Sequence, residues 1–471
     1  ALWGLRVIST WVTALLFVRL LLDLRHSSWV GQALPLQNTR QRPIEPEHDL
    51  LHLGRGLLIG GVVALALLLG LPHWESLNTP ERYALPLQLV CLLAGFRWLQ
   101  QPDARGWAFV AGLATGGALL AKQTTSGVLL ALGLVVLLWA RERLRDPRGL
   151  LALGGGVLAG PGLLALYFAV RGALDEAIDA TWGYNRYYMR DLVPGDIVRS
   201  ALDSDAVQAI YLPLALFAVL GAAQAFRPVA DNDLDARWRS LLQRWLALTV
   251  VIDLVLTNAS GRGYGHYFLT PLPAFLALST VGLGWWLARW QASPVAWGRA
   301  VRAGSWAFVV LAVGGPFVGE LVLTVSVTDG HLFGAPHEFP PNDAVRWSSD
   351  PDDTVLSWGH AGEVNFGTGR RSPSRYHYSH PLVMTGYADA DRLTEFVAEL
   401  EKNTPRLIVD TSWYDVGKVP PLDPARYPRW LELGGDPDLP DLEPVRAFWA
   451  NHCTTVVAAM EDILVYRCAY D

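Results

Sequence analysis

Apolar stretches of near bilayer-crossing length recur along the first 327 residues, and this recurrence constrains the fold more than any other feature. They lie at 1–22, 54–73, 84–98, 107–121, 127–140, 150–170, 207–226, 243–257, 266–288 and 304–327, bounded by charged residues. A hydrocarbon core of about 30 Å takes about 20 helical residues to cross, so the shorter runs must borrow neighbours such as Trp98, Leu99 and Trp139. The pattern predicts an α-helical polytopic membrane protein with about ten transmembrane helices over 1–327.

From Thr328 the character changes. Val355–Trp358 reads as a strand, Asp391–Lys402 as an amphipathic helix, and Arg406–Asp410 as a buried strand. Thr455–Met460 and Ile463–Arg467 read as a hairpin around Glu461 and Asp462. Alternating strands and helices over 328–471 predict a small α/β domain. Composition agrees with two unlike parts. The whole chain is 51% hydrophobic and only 17% charged, against about 25% in an average soluble protein. A net charge of −6 and the lack of a Lys/Arg-rich run argue against a nucleic-acid partner. Three cysteines are too few for a disulfide scaffold. Cys453 and Cys468 flank the expected hairpin, where a disulfide can form in an exterior domain, and Cys91 reads as a core residue.

Basic residues set the orientation. Loops 23–53, 99–106, 141–149, 227–242 and 289–303 hold 14 Arg, while 74–83, 122–126, 171–206 and 258–265 hold 7 Lys or Arg. The first set is expected to be cytoplasmic. Both termini and the α/β domain are then extracytoplasmic.

Chemistry-bearing residues crowd the exterior loops. Only three of the 38 basic residues are Lys, and Lys122 is the one in the membrane half. Followed by Gln123 and hydroxyl residues at a helix start, its compact ammonium suits a phosphate; it equally suits an interfacial anchor. In the loop before the third run, Thr79 reads as an N-cap, with Pro80 at the first helical position and Glu81 in the first turn. Glu81, with Asn78 beside it, reads either as part of that helix start or as a base or metal ligand facing an exterior cavity. Trp182, Tyr184, Arg186, Tyr187, Tyr188 and Arg190 suit sugars and phosphates by stacking and bidentate hydrogen bonds, or an aromatic belt at the membrane surface. Arg262, Tyr264, His266 and Tyr267 lie among glycines that let backbone approach a ligand, and these favour function over a plain connector. Asp253, inside an apolar run, must face other helices or water, as a helix–helix hydrogen-bonding group or a catalytic one. Glu320 reads as interfacial. The acidic and His residues are compatible with a divalent ion but show no ligand spacing, so the sequence names no cofactor.

Three strings taken together resemble the GT-C class of membrane glycosyltransferases: Asn78-Thr-Pro-Glu81 opening a span, Ala121-Lys122-Gln123-Thr, and Arg262-x-Tyr264-x-His266-Tyr267-Phe-Leu. Similar members include the lipid A aminoarabinose transferase, the protein O-mannosyltransferases and the lipopolysaccharide-core sugar transferases. The stretch from Leu356 to Arg371 resembles bacterial members with a periplasmic tail, and the resemblance runs over nearly the whole chain. It implies a bacterial plasma (inner) membrane enzyme acting on the outer face. Sugar would pass from a polyprenyl-phosphate-linked donor to a glycan, lipid or protein acceptor of the cell envelope. Glu81 is then the acidic candidate, with Lys122, Arg262 and His266 around the donor phosphate and Tyr264 and Tyr267 nearby. A cationic pocket suits a leaving phosphate that gains charge in the transition state.

The chain departs from that family in one respect. The family's main acidic motif follows its first span, and nothing here matches it. The opening Ala1–Ser9 resembles the family's second span, so the expectation is that a first span and its loop, with the main base, precede Ala1. Two other readings stand beside the transferase. One is a transporter or flippase of a lipid-linked glycan, which also needs a cationic exterior cavity; no half-repeat favours it. The other is a membrane scaffold presenting 328–471, for which ten spans are excessive.

Overall fold

A computed structural model describes residues 2–25, 79–101, 103–188, 199, 202–204, 207–229, 233–260, 264–291, 339–413, 419–460 and 462–470. Two units emerge: one from 1–174 and 192–335, the other from 175–191 and 336–471. The sequence boundary at 327/328 lies outside the described residues, as do the expected spans at 54–73 and 304–327 and the interfacial Glu320.

In the first unit the remaining eight apolar runs are helical. They give α1 (Leu2–Arg25), α2 (Pro80–Gln100), α3 (Arg105–Ala121), α4 (Gly127–Trp139) and α5 (Pro147–Val170). Two short helices of the second unit follow, α6 (Leu174–Ile178) and α7 (Tyr184–Tyr188), and then α8 (Leu212–Gln224), α9 (Leu234–Thr257) and α10 (Leu272–Gln291). By length and composition α5 and α9 are able to cross a membrane, while Ile8–Leu22, Gln123–Trp139, Leu212–Gln224 and Leu272–Trp286 are shorter apolar stretches. Among the described residues the expectation of about ten spans is therefore shown only in a coarser form: a helical unit in which two helices are both long and apolar enough to cross a membrane.

Local chemistry sets the helix ends. Asp146 accepts from Gly149 N at 3.0 Å and Asp233 from Ala236 N at 2.8 Å, capping α5 and α9. Thr79 occupies the N-cap of α2 in extended conformation, but its side chain makes no capping bond. Its hydroxyl is buried without a hydrogen-bond partner among the described residues, so Pro80, which lacks an N–H, carries the start of that helix instead.

Close helix packing rests on glycine. A Cβ at Gly112 would fall onto the carbonyl of Leu153, and one at Gly156 onto that of Phe109, so α3 and α5 meet backbone to backbone. Gly221 and Gly282 do the same for α8 and α10. Trp98, Trp245, Phe17 and Phe217 fill the interior. Outward, α5 exposes Leu151, Leu158, Leu163, Leu166 and Val170, and α9 exposes Val251 and Val255.

In the second unit α11 (Pro341–Ser348) precedes β1 (Val355–Gly359) and α12 (Glu363–Thr368). Next come α13 (Ala390–Asn403), β2 (Leu407–Thr411), α14 (Tyr427–Glu432), α15 (Glu443–His452), β3 (Thr455–Met460) and β4 (Ile463–Arg467). The sheet order is β1-β2-β4-β3. β1 and β2 are parallel, with Val355 opposite Leu407, and β4 runs antiparallel to both β2 and β3. The two parallel strands are buried along their whole length, because alternate residues enter different layers. Leu356, Trp358 and Ile408 pack with Phe396 and Leu400 of α13, whereas Val355, Leu407 and Val409 pack with Val345 and Val364. The expected strands, helix and hairpin are all present, and Cys453 and Cys468 are disulfide-bonded. Cys91 is free and buried, as expected of a core residue.

The close α3–α5 contact makes a direct prediction. Gly112→Ala should destabilise the purified protein by about 1–3 kcal/mol through overpacking. Gly133→Ala, where a Cβ meets nothing within 4 Å, should leave its melting temperature unchanged or raise it.

Candidate functional site

Three chain turns of the first unit converge on one ion pair. Glu81 stands in the first turn of α2. Lys122 ends α3 in extended conformation, just before a tight helical turn over Gln123–Ser126 that leads into α4. A second such turn spans Gly265–Leu269. The Lys122 ammonium donates to Glu81 Oε1 and sits over the Tyr267 ring, 3.3 Å from its centroid. The Glu81 side chain is 0% exposed and that of Lys122 is 20%. A carboxylate so deeply buried needs a partner, because desolvation disfavours an isolated charge. Its other oxygen, Oε2, is buried and has no hydrogen-bond partner among the described residues.

The neighbouring aromatic residues form one packed group. Tyr264 stacks on His266 at 5.6 Å, and His266 meets Tyr267 edge-on at 4.6 Å. Thr257 Oγ1 donates to the Tyr267 carbonyl at 3.2 Å, and the Tyr211 hydroxyl donates to that of Phe268 at 2.6 Å. These two bonds fix the turn that carries Tyr267.

The tip that carries Lys122 is fixed as firmly. Thr125 Oγ1 donates to the Lys122 carbonyl at 2.6 Å, and Trp245 Nε1 to that of Val128 at 2.9 Å. Asp253, fully buried on α9, lies against Gly127, where a Cβ would strike its carboxylate. Its contact with the start of α4 is one of close packing, and among the described residues neither carboxylate oxygen has a hydrogen-bond partner, so the expected helix–helix hydrogen bond is not seen.

The candidate residues thus fall into two groups. Glu81, Lys122, Gln123, Tyr264, His266 and Tyr267 belong to the first unit, with Gln123 opening the turn after Lys122. Asn78 and Arg262 lie outside the described residues. Tyr184 and Arg186 belong to the second unit. There the Tyr184 hydroxyl shares a 2.8 Å hydrogen bond with His380 Nδ1, and Arg186 is exposed.

The sequence reading missed the partners that hold segment 175–191 in the second unit. Tyr387 donates to Asp179 Oδ2 at 2.7 Å, and Arg392 pairs with the same carboxylate at 3.0 Å while lying over the Tyr387 ring. Burial works against ionisation of Asp179, but the bonds from Tyr387 and Arg392 outweigh it and hold the carboxyl below its ordinary range. The dense string Arg375-Tyr-His-Tyr-Ser-His380 was a visible signal for part of this surface. Among the described residues no group of three or more His, Cys, Asp or Glu is arranged to hold a metal.

No family model matches the chain, and no curated protein matches it.

If Asp253 and Gly127 lock the Lys122 tip together, Gly127→Ala should cost about 1–3 kcal/mol. Adding Asp253→Ala should recover part of that loss in thermal unfolding. An equal loss with and without Asp253 would separate the tip from that contact.

Proposed function

We propose that this chain is a membrane glycosyltransferase of the GT-C type. It would pass a sugar from a polyprenyl-phosphate-linked donor to a cell-envelope acceptor on the outer face of the plasma membrane. The observation that carries this reading is the Glu81–Lys122 pair, its ammonium over the Tyr267 ring, with His266 and Tyr264 beside that ring. Apolar side chains exposed along α5 and α9 support a lipid surround, since soluble monomers rarely leave large contiguous apolar patches in water.

In this reading Lys122 and His266 bind the donor phosphate and stabilise the charge it gains as the glycosidic bond breaks. Glu81 Oε1 orients the ammonium. Tyr267 limits the freedom of the Lys122 ammonium through its ring face.

Membranes of a host expressing the full-length protein, supplied with radiolabelled undecaprenyl-phosphate-linked hexose or pentose, should transfer label to envelope acceptors. Lys122→Ala and His266→Ala should each lower the rate roughly 10- to 100-fold, the effect of losing one charge-assisted hydrogen bond. Unchanged transfer in both variants would contradict the reading. Lipid translocation without transfer would identify a flippase instead.

A further inference from the structure

Among the described residues, a second concentration of chemistry-bearing side chains lies at the carboxyl end of β1. The strand closes on Gly359, whose φ of +127° is a conformation side-chain-bearing residues avoid. A Cβ there would also collide with the Thr411 hydroxyl of β2. The chain then leaves the sheet and presents His360, which is exposed. The stretch ending at His380 returns past the same point. Gly359 N donates to Ser379 Oγ at 3.2 Å, and Ser379 N donates to the Gly359 carbonyl at 2.8 Å. This clamp brings the flanking residues against His360: Tyr378 lies 5.4 Å away between ring centroids and His380 5.7 Å. His377, also exposed, meets Tyr378 at 5.0 Å.

The segment 175–191 completes the group. Tyr184 reaches His380 through the 2.8 Å hydrogen bond, and Tyr188 stacks on Tyr184 at 5.9 Å while meeting His380 at 6.3 Å. Six rings are therefore in continuous contact. Each carries a hydroxyl or an imidazole nitrogen. They are not the core of this unit, which gathers around Trp358, Phe396 and Tyr466.

We propose that this cluster is a saccharide-binding face, formed by His360, His377 and Tyr378 together with Tyr184 and Tyr188 and backed by His380, which is buried. Ring faces stack on the C–H faces of pyranoses, while hydroxyl and imidazole groups exchange hydrogen bonds with sugar hydroxyls in either direction. The position agrees with a general property of open α/β sheets, which bind ligands beyond the carboxyl ends of their parallel strands. Neither Lys nor Arg is among the six residues, and the guanidinium of Arg392, over the Tyr387 ring that meets Tyr184, is paired with Asp179. The choice of a saccharide as ligand rests on the transferase reading, in which this face would hold the glycan part of the acceptor.

The test uses the full chain in nanodiscs and cellopentaose, a soluble neutral β-linked oligosaccharide, as probe. Saturation-transfer NMR should show saturable binding through the axial C–H protons of the sugar. His360→Ala and Tyr378→Ala should each weaken it at least about fivefold, in proteins whose thermal unfolding matches wild type. Tyr188→Ala gives a second route should Tyr378→Ala fail to fold. Absence of saturable binding, or binding unchanged in the His360 and Tyr188 variants, would overturn the proposal. The two readings separate cleanly. Saccharide binding that depends on these rings, in a protein that transfers no sugar, would remove the transferase and leave this face standing. Sugar transfer without such binding would do the reverse.

Discussion

A carboxylate with no exposure to water must find a positive partner, and in the first unit that requirement organises the site. Glu81 and Lys122 are 41 positions apart in sequence, at the start of one helix and the end of the next. Their union fixes where α2 begins relative to where α3 stops. Tyr267 adds a third turn by placing its ring under the ammonium. The Thr125 and Trp245 hydrogen bonds, and the bare Gly127 against Asp253, then hold the Lys122 tip in place. Chemistry at this position is tied to packing, since the charges that would act on a donor phosphate also hold three turns together.

The second unit reaches its order by other means. A two-faced parallel pair, β1 and β2, is buried between layers and leaves its carboxyl edge to polar rings. Segment 175–191 belongs to the first unit's chain path by sequence position, yet it packs with 336–471. Asp179 is held by Tyr387 and Arg392, and Tyr184 by His380. A stretch connecting apolar helices therefore supplies part of the surface on which a ligand of the α/β unit would rest.

Much of this was legible in the amino-acid order. Period-two and period-3.6 patterns located the strands of the sheet and α13, because burial on one or both faces writes itself locally. Lys122 stood out through the scarcity of lysine. What local pattern could not supply was pairing. The bond between Asp179 and Tyr387 joins residues 208 apart and that between Tyr184 and His380 joins residues 196 apart, so only the folded chain brings them together. Thr79 shows a related limit: it takes the N-cap position that its sequence context implies, but its buried hydroxyl makes no capping bond. Apolar run length located helices in every described run, but among the described residues only two of those helices are both long and apolar enough to cross a bilayer, and two of the ten runs lie outside the described residues.

The central claim is that Glu81 and Lys122 act as one unit, and a double-mutant cycle measures that directly. Unfolding free energies of Glu81→Gln, Lys122→Met and the double variant, in a single detergent, give the coupling between the two side chains. The account predicts a loss of about 3–5 kcal/mol for Lys122→Met, which strands a buried carboxylate. It also predicts a double variant at least about 2 kcal/mol more stable than the sum of the single losses implies. Single losses that add to within about 0.5 kcal/mol would contradict it.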